Sequence, residues 1–337
     1  MNSSCFHKDL EKLHLWHYEN CKEFRTIIDH FDWKSLFSKD PDEIFLHTNL
    51  FKIRRIVSGE IRINDEIVME SSGTSTNLKS KIYSDRLTRI NQQRALVKIV
   101  SDSLNIDLKN KLNYYVLSND FSKKEKIFNA KKAAILGFSM FAKHKTFLLD
   151  ENENISEKMI RKMINDENPY IIFGFTSDLY TKLLNYFKKK NLILDSENNF
   201  LIHGGGWKKL AGIGIGNDLL KEEIQHYLPK INCKNYYGMI EQTGSIFMEC
   251  SHGFLHTNDY GDIIVRDNDL KKLCNGKEGI IQSISLLPKS YPGHSLLTED
   301  IGIIHGIDNC PCGRKGKFFN IRGRLKKSEL RGCSDVY

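Results

Sequence analysis

The sequence has no uninterrupted apolar segment long enough to act as a signal peptide or to span a bilayer. His7, Lys8, Asp9 and Glu11 break the N-terminal region, and the most apolar stretch, Ala133 to Ala142, is far too short to cross a membrane. The expected location is therefore cytoplasmic, where the eight cysteines serve as thiols or metal ligands rather than disulfides. Concentrated charge of one sign is also missing. Fifty Lys and Arg against 42 Asp and Glu leave a formal +8, yet clusters such as Lys188-Lys189-Lys190 are short. Many of the remaining lysines are spread among acidic residues, as on a solvated face, so nucleic acid is not the expected partner. There is no internal repeat, no low-complexity tract beyond the lysine run, and no GxxxxGK[ST] spacing to support a Walker loop.

What is present is an ordinary globular composition: 337 residues, 40% hydrophobic and 27% charged, enough for one large domain or two unequal ones. Leu10, Leu13, Trp16, Ile27 and Phe31 recur at helical intervals and predict a helical N-terminal segment, 1–65. An α/β nucleotide-binding core is expected over 66–244. Leu87, Ile90, Arg94, Val97 and Leu104 suggest a long helix there, with an anion-accepting N-terminal end. Apolar runs at Tyr114 to Leu117, Ala133 to Met140, Tyr170 to Phe175 and Phe200 to His203 read as strands. Helical patterns near 156–165, 176–190 and 217–227 fall between or after them, and such alternation favours a substantially parallel sheet. Glycine-punctuated short strands then predict a smaller β-rich subregion over 245–322, followed by a hinge and short tail, 323–337.

The richest stretch for chemistry is Ser71-Ser72-Gly73-Thr74-Ser75-Thr76-Asn77-Leu78-Lys79-Ser80-Lys81. Glycine lets backbone N–H groups converge on one anion, hydroxyls donate further hydrogen bonds, and lysine supplies a point charge. A polar surface loop has the same composition, so other stretches must decide. His203-Gly204-Gly205-Gly206-Trp207-Lys208 ends an expected strand where a flat ligand could approach bare backbone. Tyr236-Tyr237-Gly238-Met239-Ile240-Glu241-Gln242-Thr243-Gly244 sets an aromatic face beside a carboxylate. Thr298-Glu299-Asp300-Ile301-Gly302 and Ile321-Arg322-Gly323-Arg324-Leu325-Lys326 supply an acid and an arginine.

In this order the stretches resemble the adenylate-forming superfamily of acyl and aryl ligases. More narrowly, SSGTS, FGFT at Phe173 to Thr176, HGGGWK, YGMIEQTG and the terminal GRLKKSELRGCSD resemble the LuxE-type acyl-protein synthetases, in the phenylacetate-CoA-ligase-like branch. The resemblance covers most of the chain after about residue 65 and implies the α/β fold of the ligases' N-terminal-type domain. It implies ATP and Mg2+ as cofactors, a carboxylic acid of the fatty-acid kind as substrate, and release of pyrophosphate as an acyl-adenylate forms. The acyl group would pass to a C-terminal cysteine, and then to a partner acyl reductase; an acyl donor is a further implied partner.

Residue by residue, the resemblance assigns Ser72, Gly73, Thr74, Ser75 and Lys79 to the β- and γ-phosphates. Gly205 and Gly206 would border adenine and Tyr237 would stack on it. Glu241 would bind Mg2+, Asp300 the ribose hydroxyls, and Arg324 ribose or phosphate, with Lys326 at the hinge. Several positions depart from the superfamily pattern: Thr76 and Leu78 replace glycine and proline, Ile240 replaces threonine, and Glu299 replaces the glycine of TGD. The usual mobile C-terminal domain with its catalytic lysine has no room, which leaves Lys79, Lys208 and Lys326 as candidates to assist adenylation.

Cys333, between Gly332 and Ser334, has arginine nearby to favour its thiolate; it is the expected acyl acceptor, against the plainer reading of an incidental exposed thiol. Cys250, His256, Cys310 and Cys312 form a candidate structural Zn2+ site, against the plainer reading of buried free thiols. Phe138, Phe141, Phe173, Phe175 and Trp207 are candidates for an acyl pocket or for plain core. Two other functions fit parts of the pattern: a stand-alone ligase serving coenzyme A, a carrier protein or an amine, and a basic zinc-containing binding protein.

Overall fold

The computed structural model describes residues 3–61, 65–71, 79–107, 111–120, 128–195, 197–205, 210 and 215–325. The chain opens with helices Ser3–Asn20 and Lys22–His30. Phe6, Leu10, His14 and His17 form the buried face of the first, with Phe24 and Ile28 buried on the second. Leu13 and Trp16 are only partly buried and Phe31 is 55% exposed, so the inward stripe includes two histidines that an apolar pattern does not register. The segment continues through short helical turns around the two-residue strand β1 (Leu46–His47).

A small sheet follows, in which β2 (Ile67–Glu70) lies between β3 (Lys81–Ser84) and β5 (Phe128–Asn129). The second sheet joins β4 (Leu112–Val116), β6 (Ala142–Phe147), β7 (Tyr170–Phe175), β8 (Phe200–Gly204), β9 (Asn232–Tyr237) and β10 (Phe247–Met248). Its order is β10-β9-β8-β7-β4-β6, parallel throughout except at β10. Tyr115, Ile172 and Leu201 pack on one face, whereas Tyr114, Ile171, Phe173 and Ile202 pack on the other. Burial on both faces explains why β7 reads as a continuous apolar run rather than an alternating one.

Helix Arg86–Leu104 covers the second of these faces through Leu96, Ile99, Val100 and Leu104. The expected stripe is displaced: Leu87 is exposed, while Thr88 and Gln92 are buried. The segment Ala133 to Met140 is not a strand. Ala130–Phe138 is a helix capped by Asn129, whose side chain accepts from the Lys132 N–H at 2.9 Å, and Ser139–Phe141 adds a 3-10 turn. Alanine, lysine and leucine favour the helix, and Lys132, Ile135 and Phe138 recur at a spacing that buries one helical face. The strand in this region is β6, whose Lys143, His144 and Lys145 are exposed at the sheet edge and carry no apolar signature.

The third sheet contains β11 (Leu255–His256), β12 (Gly261–Arg266), β13 (Glu278–Ser285), β14 (Ser295–Ile307) and β15 (Lys317–Arg324). It runs β11-β15-β14-β13-β12, antiparallel, and β1 adds to β14 in parallel. Arg266 locks the N-terminal segment to this sheet. Its fully buried guanidinium donates to Glu43 at 2.8 Å, Gln282 at 2.6 Å and the Asp42 carbonyl at 2.7 Å, with its Cζ 4.6 Å from the Phe45 ring centroid. Among the described residues no helix is long and apolar enough to cross a membrane.

Candidate functional site

β8 and β9 end together, with Gly204 opposite Tyr236. Gly204 is pressed against Tyr236: an added Cβ would lie 2.7 Å from the Tyr236 carbonyl oxygen, so a side chain there must displace backbone. Gly205 follows with φ +64, the left-handed region that glycine enters without steric cost. The expected adenine border thus begins on backbone that favours glycine, while Gly206, Trp207 and Lys208 lie outside the described residues.

After β9, the 3-10 turn Ile240–Gln242 carries Glu241. Gln242, which the sequence did not single out, anchors that turn. Its Nε2 donates to the Ser283 and Gly293 carbonyls at 2.9 Å, and its Oε1 accepts from the Ser283 hydroxyl at 2.6 Å. Glu241 is 8% exposed. Burial raises its pKa, and the neighbouring Ser80 hydroxyl and the charges of Lys52 and Arg324 restrain the rise. The fully buried Ser80 Oγ lies close to Glu241 but makes no normal hydrogen bond to any described residue. A buried carboxylate with an adjacent unsatisfied hydroxyl is a donor set suited to a hard cation such as Mg2+.

β14 and β15 bring the remaining expected groups together. Asp300 pairs in register with Arg324; its carboxylate accepts from Arg324 Nε at 2.6 Å and from the Tyr237 hydroxyl at 2.7 Å. The Tyr237 ring stacks on Phe247, with centroids 6.2 Å apart. Glu299 lies beside Asp300, where Asn49 Nδ2 donates to it at 3.3 Å and Lys52 Nζ stands 4.0 Å away. Although burial opposes the shift, Lys52, Asn49 and Arg324 draw the Glu299 carboxyl below its ordinary pKa. Asn49 and Lys52 had no motif to mark them, since they lie in a segment whose pattern is that of packing.

The serine-rich loop leaves from the β2–β3 hairpin. Its neck is closed by Ser71 N–H to the Ser80 carbonyl and by Ser80 N–H to Ser71 Oγ, each 3.0 Å. Lys79 Nζ lies 3.5 Å from Glu70, to which Lys81 also pairs. Ser72, Gly73, Thr74 and Ser75 lie outside the described residues, as do Lys326 and Cys333. The N-terminus of the following helix is capped from within the chain, the Asp85 carboxylate accepting from the Thr88 N–H at 2.8 Å. Phe138, Phe141 and Phe173 belong to the core beside the parallel sheet, whereas Phe175 is partly buried next to Gly205.

A second cluster lies where β11 meets the loop before β15. The donor atoms of Cys250, His256, Cys310 and Cys312 all lie within 4.8 Å of one another. Cys250 and Cys310 sulfurs are 4.0 Å apart, and Cys312 Sγ is 3.4 Å from His256 Nε2. Tetrahedral zinc with bonds of about 2.3 Å to sulfur would hold sulfurs about 3.8 Å apart. Backbone N–H groups of His252 and Arg314 donate to Cys250 and Cys312, each at 3.4 Å. Burial and the Arg314 charge push His256 down to about 4, leaving the neutral imidazole that a metal requires.

A sequence profile for the acyl-protein synthetases matches residues 2–337. The chain belongs to the LuxE acyl-protein synthetase family. It is thereby an AMP-forming acid–thiol ligase, and acyl activation through an adenylate is the chemistry that this site must accommodate. No curated protein matched the LuxE-family chain by sequence. Among solved structures it is similar to 2-hydroxyisobutyryl-CoA ligase in complex with 2-HIB-AMP and CoA, with TM-score 0.72 and 15% identity over 98% of this chain and 76% of that one. A long-chain-fatty-acid-CoA ligase from Archaeoglobus fulgidus gives TM-score 0.51 and 12% identity, covering 77% and 51%. The luciferase-like enzyme of the mealworm Zophobas morio gives 0.51 and 15%, covering 80% and 60%. At these identities the likeness concerns the fold: the LuxE-family chain has the architecture of an adenylate-forming ligase.

Proposed function

We propose that this LuxE-family protein activates a fatty acid with ATP and then carries the acyl group on its own Cys333 to a partner acyl reductase. The observation that carries the reading is the convergence of Tyr237, Asp300 and Arg324 beside the buried Glu241. In this reading Asp300 exchanges its Tyr237 and Arg324 donors for ribose hydroxyls, and Gly205 and Gly206 admit adenine against Tyr237. Ser72, Gly73, Thr74, Ser75 and Lys79 hold the β- and γ-phosphates, and Lys326 lies at the hinge. Glu241 holds Mg2+, which when bound neutralises phosphate charge.

The acid's carboxylate oxygen attacks the α-phosphorus, the bond to the pyrophosphate oxygen breaks, and an acyl-adenylate forms. The Cys333 thiolate, its proton already lost to solvent, then attacks the acyl carbonyl. A thioester bond forms as the bond to the AMP oxygen breaks. Cys250, His256, Cys310 and Cys312 would bind Zn2+ as a closed structural site.

The test separates the two half-reactions. Cys333→Ser should retain acid-dependent ATP–pyrophosphate exchange but lose hydroxylamine-sensitive acyl labelling of the protein. Labelling that survives the change would remove the self-acylation step, and thioester formation on added coenzyme A by the same variant would make the protein a stand-alone ligase.

A further inference from the structure

The N-terminal segment is built into the nucleotide site rather than laid over it. β1 joins β14 directly upstream of Glu299, with Leu46 opposite Leu296 and His47 opposite Leu297. The Thr48 N–H continues the ladder by donating to the Leu297 carbonyl at 3.1 Å. The chain then turns into the short helix Leu50–Ile53, with Phe51 packed edge-on to Tyr291 at 6.1 Å. This anchoring sets Lys52 against Glu299 and close enough to Glu241 for its charge to act on both carboxyl groups.

Among the described residues, the cations that the motifs bring to the site are already engaged with carboxylates. Glu241, Glu299 and Asp300 contribute three carboxylates, and ATP brings further negative charge. Arg324 is already engaged by Asp300 at 2.6 Å and approaches Glu299 at 3.9 Å. Lys79 and Lys81 both face Glu70. Lys52 is different: its side chain is 15% exposed, it donates to Asn49 Oδ1 at 2.5 Å, and its separation from Glu299 is a long 4.0 Å. Its contact with Glu299 is long enough for the ammonium to turn from that carboxylate toward a phosphate oxygen, and in a water-poor site its attraction to that oxygen is strong.

We propose that Lys52 binds the phosphates of ATP and stabilises the charge that grows on them as pyrophosphate leaves. Glu299 and Asn49 are its positioning residues, holding the ammonium at the rim of the site until the nucleotide arrives. The departure from glycine at position 299 gains a reason: the carboxylate orients a cation contributed from the opposite end of the chain. This assignment rests on the adenylation reading above.

The experiment compares wild type, Lys52→Met, Lys52→Arg and Glu299→Gln for acid-dependent ATP–pyrophosphate exchange and for equilibrium binding of Mg-ATP and of adenosine. Lys52→Met should lower exchange about 100-fold and weaken Mg-ATP binding about tenfold while leaving adenosine binding unchanged. Lys52→Arg should recover much of the loss, because it restores the charge. Glu299→Gln should raise KM for ATP more than it lowers kcat, the mark of a positioning residue. Unchanged exchange and Mg-ATP binding in Lys52→Met overturn the proposal. Equal weakening of Mg-ATP and adenosine, with a lowered melting temperature, overturns it in favour of a purely structural ion pair. If the wild type exchanges with no acid, the adenylation reading fails, and the Mg-ATP to adenosine comparison still decides whether Lys52 binds phosphate.

Discussion

The Tyr237 hydroxyl donates to Asp300 Oδ2 at 2.7 Å while Arg324 Nε donates to Oδ1 at 2.6 Å, so each carboxylate oxygen has a protein donor. The three groups come from β9, β14 and β15, and the cross-strand register Asp300 to Arg324 aligns them. A ligand that binds Asp300 must replace these donors without leaving them unsatisfied.

Asp300→Asn keeps the shape but removes the charge that orders Arg324. KM for ATP should rise about tenfold or more, since hydrogen bonds to a charged group contribute about 1.5–3 kcal/mol. Tyr237→Phe should have a smaller effect on KM. Steady-state exchange kinetics against ATP concentration would check both, and an Asp300→Asn enzyme with wild-type KM would contradict the ribose assignment.

Purified protein should contain one zinc held by Cys250, His256, Cys310 and Cys312. Cys310→Ser or prolonged chelation should lower the melting temperature by about 5 °C or more. Elemental analysis with a thermal melt measures this, and metal-free protein with an unchanged melt on chelator addition would leave the cluster as packed thiols.

Stability should fall as pH drops from about 6.5, the ordinary histidine value. His14 and His17 are pushed down to about 4 and about 3, chiefly by burial, and His294 lies well below its ordinary value for the same reason. His14 Nδ1 meets His294 Nε2 at 2.8 Å, His14 Nε2 faces the Pro41 carbonyl, and His17 faces Ser58 and the Pro288 carbonyl. Asp42 and Lys289 are the charged groups acting on the cluster. The unfolded chain binds protons that the folded one refuses, so stability is fully present above pH 6.5. Each histidine contributes a loss of about 1.4 kcal/mol per pH unit between its unfolded and folded values. Urea unfolding at pH 7.5 and 5 should show the slope, and it should be shallower in His17→Gln.

Arg266→Met should destabilise the protein by about 3 kcal/mol, because Glu43, Gln282 and the Asp42 carbonyl lose a buried charged donor. Denaturant melts of the variant beside wild type test this, and a change below about 1 kcal/mol would mean that Phe45 packing, not the guanidinium network, holds the N-terminal segment.

Much of the fold was legible because its signals are local. The apolar run of β7 and the helices Glu157–Ile164 and Asn217–Tyr227 follow directly from residue spacing. Ala130–Phe138 was misread because a short apolar run fits a strand as well as a buried helix, and the Asn129 cap that resolves it is one hydrogen bond. β6 was hidden for the opposite reason, being a polar edge whose partner, β4, is all that defines it. In helix Arg86–Leu104 the periodicity marked the helix and the inward Val97 and Leu104, but it included the exposed Leu87 and missed the buried Thr88 and Gln92. Gln92 satisfies its buried amide with Tyr291, a partner no local pattern contains.

For the site, the order of the loop, glycine turn, YGMIE segment, acid and arginine was enough by itself to determine a family and a chemistry, because covalent sequence preserves order. It could not determine what each side chain touches. That Tyr237 and Arg324 share Asp300, that Gln242 steadies Glu241, and that Lys52 comes from the far end of the chain to meet Glu299 all follow from strand pairing between distant segments. Hydrogen bonds and ion pairs act over a few ångströms in space, whatever the separation in sequence. The register of β1, β14 and β15 therefore set the electrostatics of the site, which composition and spacing left open.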